Sequence, residues 1–68
     1  MNHMLGYNIS NVLRQKHITL SELGRRIQMH RQTISEKINE PWRFTINEVI
    51  TIAAAIGVNW KDLLEGVE

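Results

Sequence analysis

The sequence predicts an all-α chain of five short helices, and three observations carry that prediction. One helix-start pattern is written three times: Ile18-Thr19-Leu20-Ser21-Glu22-Leu23, Phe44-Thr45-Ile46-Asn47-Glu48-Val49 and Val58-Asn59-Trp60-Lys61-Asp62-Leu63. Elsewhere apolar residues recur at three- and four-residue spacing, the period of one helix face. No stretch alternates apolar and polar residues convincingly over four or more positions, so no sheet is expected.

Ile9, Val12 and Leu13 mark a first helix over residues 7–16, which ends before His17, where the chain turns. Met1-Asn2-His3-Met4 stands outside this pattern and is left out of the fold. The second helix begins at Leu20 and presents Leu20, Leu23 and Ile27. Thr19 can accept a hydrogen bond from the backbone N–H three residues on. With Glu22 it forms a capping box, and Ile18 and Leu23 form the flanking apolar staple. Ile34 and Ile38 anchor a third helix over Arg31–Asn39, which Glu40-Pro41 ends because a residue before proline avoids helical angles. A second capping box, Thr45 with Glu48, starts the fourth helix at Ile46. Val49, Ile50, Ala53 and Ile56 line it, and Gly57 closes it as a C-cap. Asn59 and Asp62, a looser version of the box, start a short fifth helix over residues 60–65, lined by Leu63 and Leu64. The acid in each first turn also suits the helix dipole.

Sixty-eight residues make a single domain, 1–68, near the lower size limit for a fold held by a hydrophobic core alone. Apolar content of 43% supplies that core, and no cysteine staples it. Thiol catalysis and cysteine-based zinc sites are thereby excluded. The longest apolar run, Ile52-Ala53-Ala54-Ala55-Ile56, is far too short to span a bilayer. The N-terminus has no basic stretch followed by an apolar one, so no signal peptide is expected and the chain is read as cytoplasmic. There is no HExxH and no glycine-rich phosphate loop. His3, His17 and His30 lack metal-ligand spacing, so no enzyme, metal, cofactor or small-molecule ligand is expected. Net charge is only +1, but it is divided: residues 1–45 carry seven Lys/Arg against three acids, and residues 46–68 carry Lys61 against four acids. One end suits an anion and the other does not.

Only Gln28-Met29-His30 separates the second and third helices, and a connection that short makes helices cross steeply. A steep crossing needs a small side chain at the contact, and Gly24 stands one turn before the gap. Such a glycine lowers helix stability by about 1 kcal/mol relative to alanine, so close packing is the reason to have it there. On a helical wheel Ile34 and Ile38 form a narrow buried edge of the third helix. Gln32, Ser35, Glu36 and Asn39 fall opposite, Arg31 flanks them at the N-terminal end, and Thr33 and Lys37 lie to the other side.

The run from Ile18-Thr19-Leu20-Ser21-Glu22-Leu23-Gly24 to Ile34-Ser35 resembles the helix-turn-helix of the phage repressor and Cro-like (XRE) family. The resemblance continues through Ile38-Asn39, Phe44-Thr45-Ile46-Asn47-Glu48, Ile52-Ala53 and Ala55-Ile56-Gly57-Val58 to Asp62-Leu63, and so covers residues 5–64 without a gap. It implies a compact, five-helix, lambda-repressor-like domain that binds double-stranded DNA, acting as a homodimer on a palindromic operator in a bacterial cytoplasm or nucleoid. There are departures. Leu20 stands where the family often has a phosphate-binding Gln, Gln28 stands where the turn often has Gly, and His30 stands where a Ser commonly caps the recognition helix.

By family position Arg31, Gln32 and Glu36, with Ser35 next, match base-contacting sites, because the N-terminal half of this helix enters the major groove. Arg31 is suited to guanine, Gln32 to adenine and Glu36 to a cytosine amino group. Phosphate contacts are expected from Thr19, Ser21, His30, Lys37, Asn39, Arg43 and Thr45, with Arg14, Arg25 and Arg26 as further candidates. Trp60, Leu64 and Val67 match a region that often forms the dimer contact, with core packing of Trp60 the alternative. Trp42 packs on the core edge, lies along the sugar-phosphate backbone or touches a partner subunit. The function expected is transcriptional regulation of the Cro or repressor type. A protein-interaction module on the same fold (antirepressor-like), favoured by the outward Glu36, and the DNA-binding antitoxin of a toxin–antitoxin pair are the alternatives.

Overall fold

A computed structural model describes residues 3–67. Met1, Asn2 and Glu68, which enter the leader reading and the charge division above, lie outside the described residues. The chain forms helices α1 (Met4–Gln15), α2 (Leu20–Ile27) and α3 (Arg31–Asn39), a single 3-10 turn (Pro41–Arg43), then α4 (Ile46–Ile56) and α5 (Trp60–Leu63). No described residue lies in a strand.

The helix starts at Leu20, Ile46 and Trp60 coincide with their caps, but the caps differ in chemistry. Thr45 makes the full reciprocal box: its Oγ1 accepts from the Glu48 N–H at 3.1 Å, and Glu48 Oε1 accepts from the Thr45 N–H at 2.9 Å. Thr19 Oγ1 accepts from the Glu22 N–H at 3.1 Å, but the Glu22 carboxylate does not return to it. It accepts from Arg26 one turn on, at 2.6 Å, so the expected box is half made. Asn59 Oδ1 accepts from the Lys61 N–H, two residues on.

α1 starts at Met4, ahead of the expected residue 7, because Leu5, Ile9 and Leu13 form one stripe at four-residue spacing and all three are buried. Docking of that stripe sets the start, since His3 supplies no side-chain cap. Gly6 lies in the same turn, and a Cβ there would land on the main-chain carbonyl of Ile38. α1 and α3 therefore meet backbone to backbone, a contact that apolar spacing does not reveal. The helix ends at Gln15, and His17 takes a left-handed conformation (φ 58°) that lets the Ile18 N–H reach the Leu13 carbonyl at 2.9 Å.

α4 buries Val49, Ile52, Ala53 and Ile56, while Ile50 is 42% exposed. The expected lining by Ile50 is corrected by the wheel: the stripe of Val49 runs through i+3, i+4 and i+7, and Ile50 stands about 100° away from Val49. Ile46, one turn before Ile50, is 54% exposed on the same side. α5 stops at Leu63, short of residue 65. Asn8 of α1 holds the segment that follows, its Nδ2 donating to the carbonyls of Leu63 at 2.9 Å and Glu65 at 2.8 Å. Leu23, Ile34 and Leu63 join the stripes of α1 and α4 in one core.

Candidate nucleic-acid interface

The junction of α2 and α3 is fixed by three backbone facts. Gln28 adopts a left-handed conformation (φ 57°) at a cost of about 1–2 kcal/mol for a residue with a Cβ. The Met29 N–H then donates to the Gly24 carbonyl at 2.9 Å. Gly24 is buried, and a Cβ on it would land on the Met29 carbonyl oxygen. The turn can fold back on α2 only because that side chain is missing.

His30 occupies the cap position of α3. Its Nδ1 accepts from the Gln32 N–H at 3.1 Å, doing with a ring nitrogen what a serine hydroxyl would do. A neutral imidazole that accepts at Nδ1 bears its hydrogen at Nε2, which is left as a donor. Ile34, fully buried, then pins the helix to the core, with Ile38 half-buried beside it. Arg31, Gln32, Glu36 and Asn39 are exposed, and Ser35 is half-buried where α3 meets Leu20. None of these five side chains is engaged by another described residue. A cleft lined by Thr19, Leu20, Ser21, Arg31, Gln32 and Ser35 runs between the start of α2 and this face.

The structure separates the residues expected at phosphates. Ser21 lies in the cleft beside α3, and Asn39 is exposed at the far end of α3. Thr19 and Thr45 use their hydroxyl lone pairs as caps. Arg43 is exposed and pairs with Glu40 at 3.1 Å. An exposed pair of that kind contributes at most about 1 kcal/mol and exchanges readily for a phosphate. Lys37 is engaged by a partner within the fold. Its Nζ donates to Glu48 Oε2 at 2.6 Å, and only 14% of the side chain is exposed. Lys37 stands about 60° from Ile34 on the side away from the outer face. That direction leads to α4, where the capping box holds Glu48, so its charge is engaged inside the fold. Burial pushes the Glu48 carboxyl up, but Lys37 and the Thr45 backbone N–H together outweigh that and hold it below its ordinary value.

The residues expected at a dimer contact also divide. Trp60, Leu64 and Val67 are half-buried against the core, and Lys61 Nζ stands 5.8 Å from the centre of the Trp60 ring. Trp42 is 45% exposed and meets the ring of His3 edge-on at 5.4 Å.

Two helices crossing at a three-residue turn, the second offering an unengaged polar face, define a helix-turn-helix domain. The match to known families is specific: the model of the Cro/C1-type HTH DNA-binding domain covers residues 8–68. The chain belongs to that family, which is one of DNA-binding domains and not of enzymes. No curated protein and no solved structure matches the chain significantly. No helix among the described residues is long and apolar enough to cross a membrane.

Proposed function

We propose that the chain is a sequence-specific transcriptional regulator of the Cro or repressor type, from a phage or a bacterium, which binds a palindromic operator as a homodimer. α3 lies in the major groove, with Arg31, Gln32, Ser35 and Glu36 toward the base edges. Ser21, His30, Asn39, Arg43, the backbone N–H of Thr19 and the Thr45 hydroxyl, which accepts in its cap and keeps its O–H to donate, take the phosphates. The observation that carries this reading is the outer face of α3, polar, exposed and unengaged on a helix whose opposite edge is locked by Ile34 and Gly24. An α-helix with its side chains is about 10–12 Å across, which a major groove about 12 Å wide admits. Trp60, Leu64 and Val67 form the dimer contact in this reading, and the exposed Trp42 is a further candidate for it.

Selection of binding sites from random duplex DNA tests the proposal. Enrichment of a two-fold symmetric sequence is the expected outcome, and Arg31→Ala and Gln32→Ala should each lose about 1–3 kcal/mol on that sequence and relax base preference. No enrichment, together with no complex on any duplex at low salt, would sink the reading. Glu36, exposed and unpaired amid the reading face, favours one second reading, a protein partner in place of DNA. That reading gains if an acid-to-alanine change at Glu36 leaves every duplex unbound and the chain still folded.

A further inference from the structure

Arg25 and Arg26 are consecutive on α2, and the fold sends them apart. About 100° of rotation separates them. Arg26 turns toward α4, where its Nη1 donates to the Ala55 carbonyl at 2.9 Å and its Nη2 to Glu22 Oε1 at 2.6 Å. Its charge is matched and its donors are occupied. Arg25 is exposed and meets no carboxylate. Ser21 and Arg25 stand one turn apart on one face of α2, and with Gln28, His30 and Arg31 they line a cleft beside the turn. Ser21 and Arg31 also line the cleft that runs along the outer face of α3, so the two clefts adjoin.

The chemistry of this cleft is one-sided. Arg25 and Arg31 offer guanidinium donors, His30 offers Nε2–H because its Nδ1 is used as the cap, and no carboxylate lines the walls. The nearest acid on the helix, Glu22, is held by Arg26. Two unpaired guanidinium groups facing one cleft repel each other until an anion enters, and a guanidinium matches phosphate oxygens two at a time. We infer that this cleft is a phosphate site, and that Arg25 holds the DNA backbone phosphate next to the bases met by Arg31 and Gln32. The inference rests on the DNA-binding reading and deepens it. Arg25 is a positioning residue: it fixes the register of α3 and leaves the Arg31 guanidinium to a base.

The test is the salt dependence of binding, followed by fluorescence anisotropy on a duplex carrying the selected site and on an unrelated duplex, with Arg25→Ala, Arg25→Lys and Arg26→Ala. Arg25→Ala should weaken both duplexes by the same factor and reduce the slope of log affinity against log salt by about 0.9. Its deficit should therefore shrink by about 3- to 4-fold when salt is raised fourfold. Arg25→Lys should keep the wild-type slope, and so should Arg26→Ala. Inorganic phosphate added at constant ionic strength separates the two sources of the ligand. Competition seen with the wild type and lost in Arg25→Ala means that the cleft also takes the free ion. No competition, together with the reduced slope in Arg25→Ala, leaves backbone phosphate as its ligand, and competition that persists unchanged in Arg25→Ala overturns the site. An unchanged slope in Arg25→Ala, or a loss confined to the selected duplex, overturns the inference while DNA binding stands. A wild-type chain that binds no duplex at low salt overturns the DNA reading and this site with it.

Discussion

Gly24 and Lys37 show how single residues set the geometry of this domain. A glycine inside a helix lowers stability by about 1 kcal/mol relative to alanine, so Gly24→Ala on an open surface would stabilise. Here the added methyl meets the Met29 carbonyl, a backbone atom that cannot swing aside, and overpacking of that kind typically costs about 1–3 kcal/mol. Gly24→Ala should therefore lower the unfolding free energy in urea melts, and a more stable variant would show the close contact to be without consequence. Lys37 joins α3 to α4 through Glu48, whose carboxyl is held below its ordinary value mainly against the opposing effect of burial. The sign follows from linkage: a carboxyl with a depressed folded value binds fewer protons in the native chain, so its contribution is fully present above the unfolded value of about 4.3 and fades as pH falls through the folded one. The stability difference between the wild type and Glu48→Gln should thus be largest near neutral pH and shrink in acid below about pH 4. Chemical denaturation across that range checks it, and a pH-independent difference would remove the ion pair from the account.

At the scale of elements, α3 begins on a histidine, and one ring serves two tasks. Nδ1 caps the helix, which leaves Nε2–H as a donor on a ring that lines the cleft with Arg25 and Arg31. Loss of an N-cap costs about 0.5–2 kcal/mol. His30→Ala should lower the melting temperature, and His30→Ser should restore it, since a serine hydroxyl accepts the same bond. Neither variant replaces the Nε2–H donor, so both should bind DNA more weakly than the wild type. Recovery of affinity with serine would confine His30 to capping. Much of the element plan was legible beforehand because caps and breakers are local: Thr19, Thr45 and Asn59 mark starts, Glu40-Pro41 and Gly57 mark ends. The small contact at Gly24 was legible too, from the shortness of the turn, and the left-handed Gln28 from the family resemblance, in which Gly often stands at that place. What depends on two elements at once was not. The Gly6 contact with α3 and the pairing of Lys37 with Glu48 follow from how helices are rotated against each other, which the spacing within one helix leaves open, whereas the outward Ile50 was already implied by the single stripe of Val49, Ile52, Ala53 and Ile56.

At the scale of the molecule, charge and size argue for a second copy on DNA. The whole chain carries only +1, and within α2 and α3 the arginines left unpaired are Arg25 and Arg31. Few phosphates can then be neutralised by one copy, and a single domain should hold a half-site weakly. Nor can one copy reach two half-sites. Its longest extent is 29 Å, whereas half-sites on one face of the duplex lie about 34 Å apart. Two copies joined through Trp60, Leu64 and Val67 would carry two α3 helices at a fixed separation, and linked binding events raise affinity by about 100-fold or more without a new contact to DNA. The full selected site should therefore bind far more tightly than either half alone. Inserting about 5 bp between the halves places them on opposite faces of the duplex and should return affinity to the half-site value, while about 10 bp restores the face but not the distance. Anisotropy on these four duplexes decides the matter. Equal affinity for half and full sites would mean that the domain acts singly, and affinity indifferent to the 5 bp insertion would mean that two copies bind without touching.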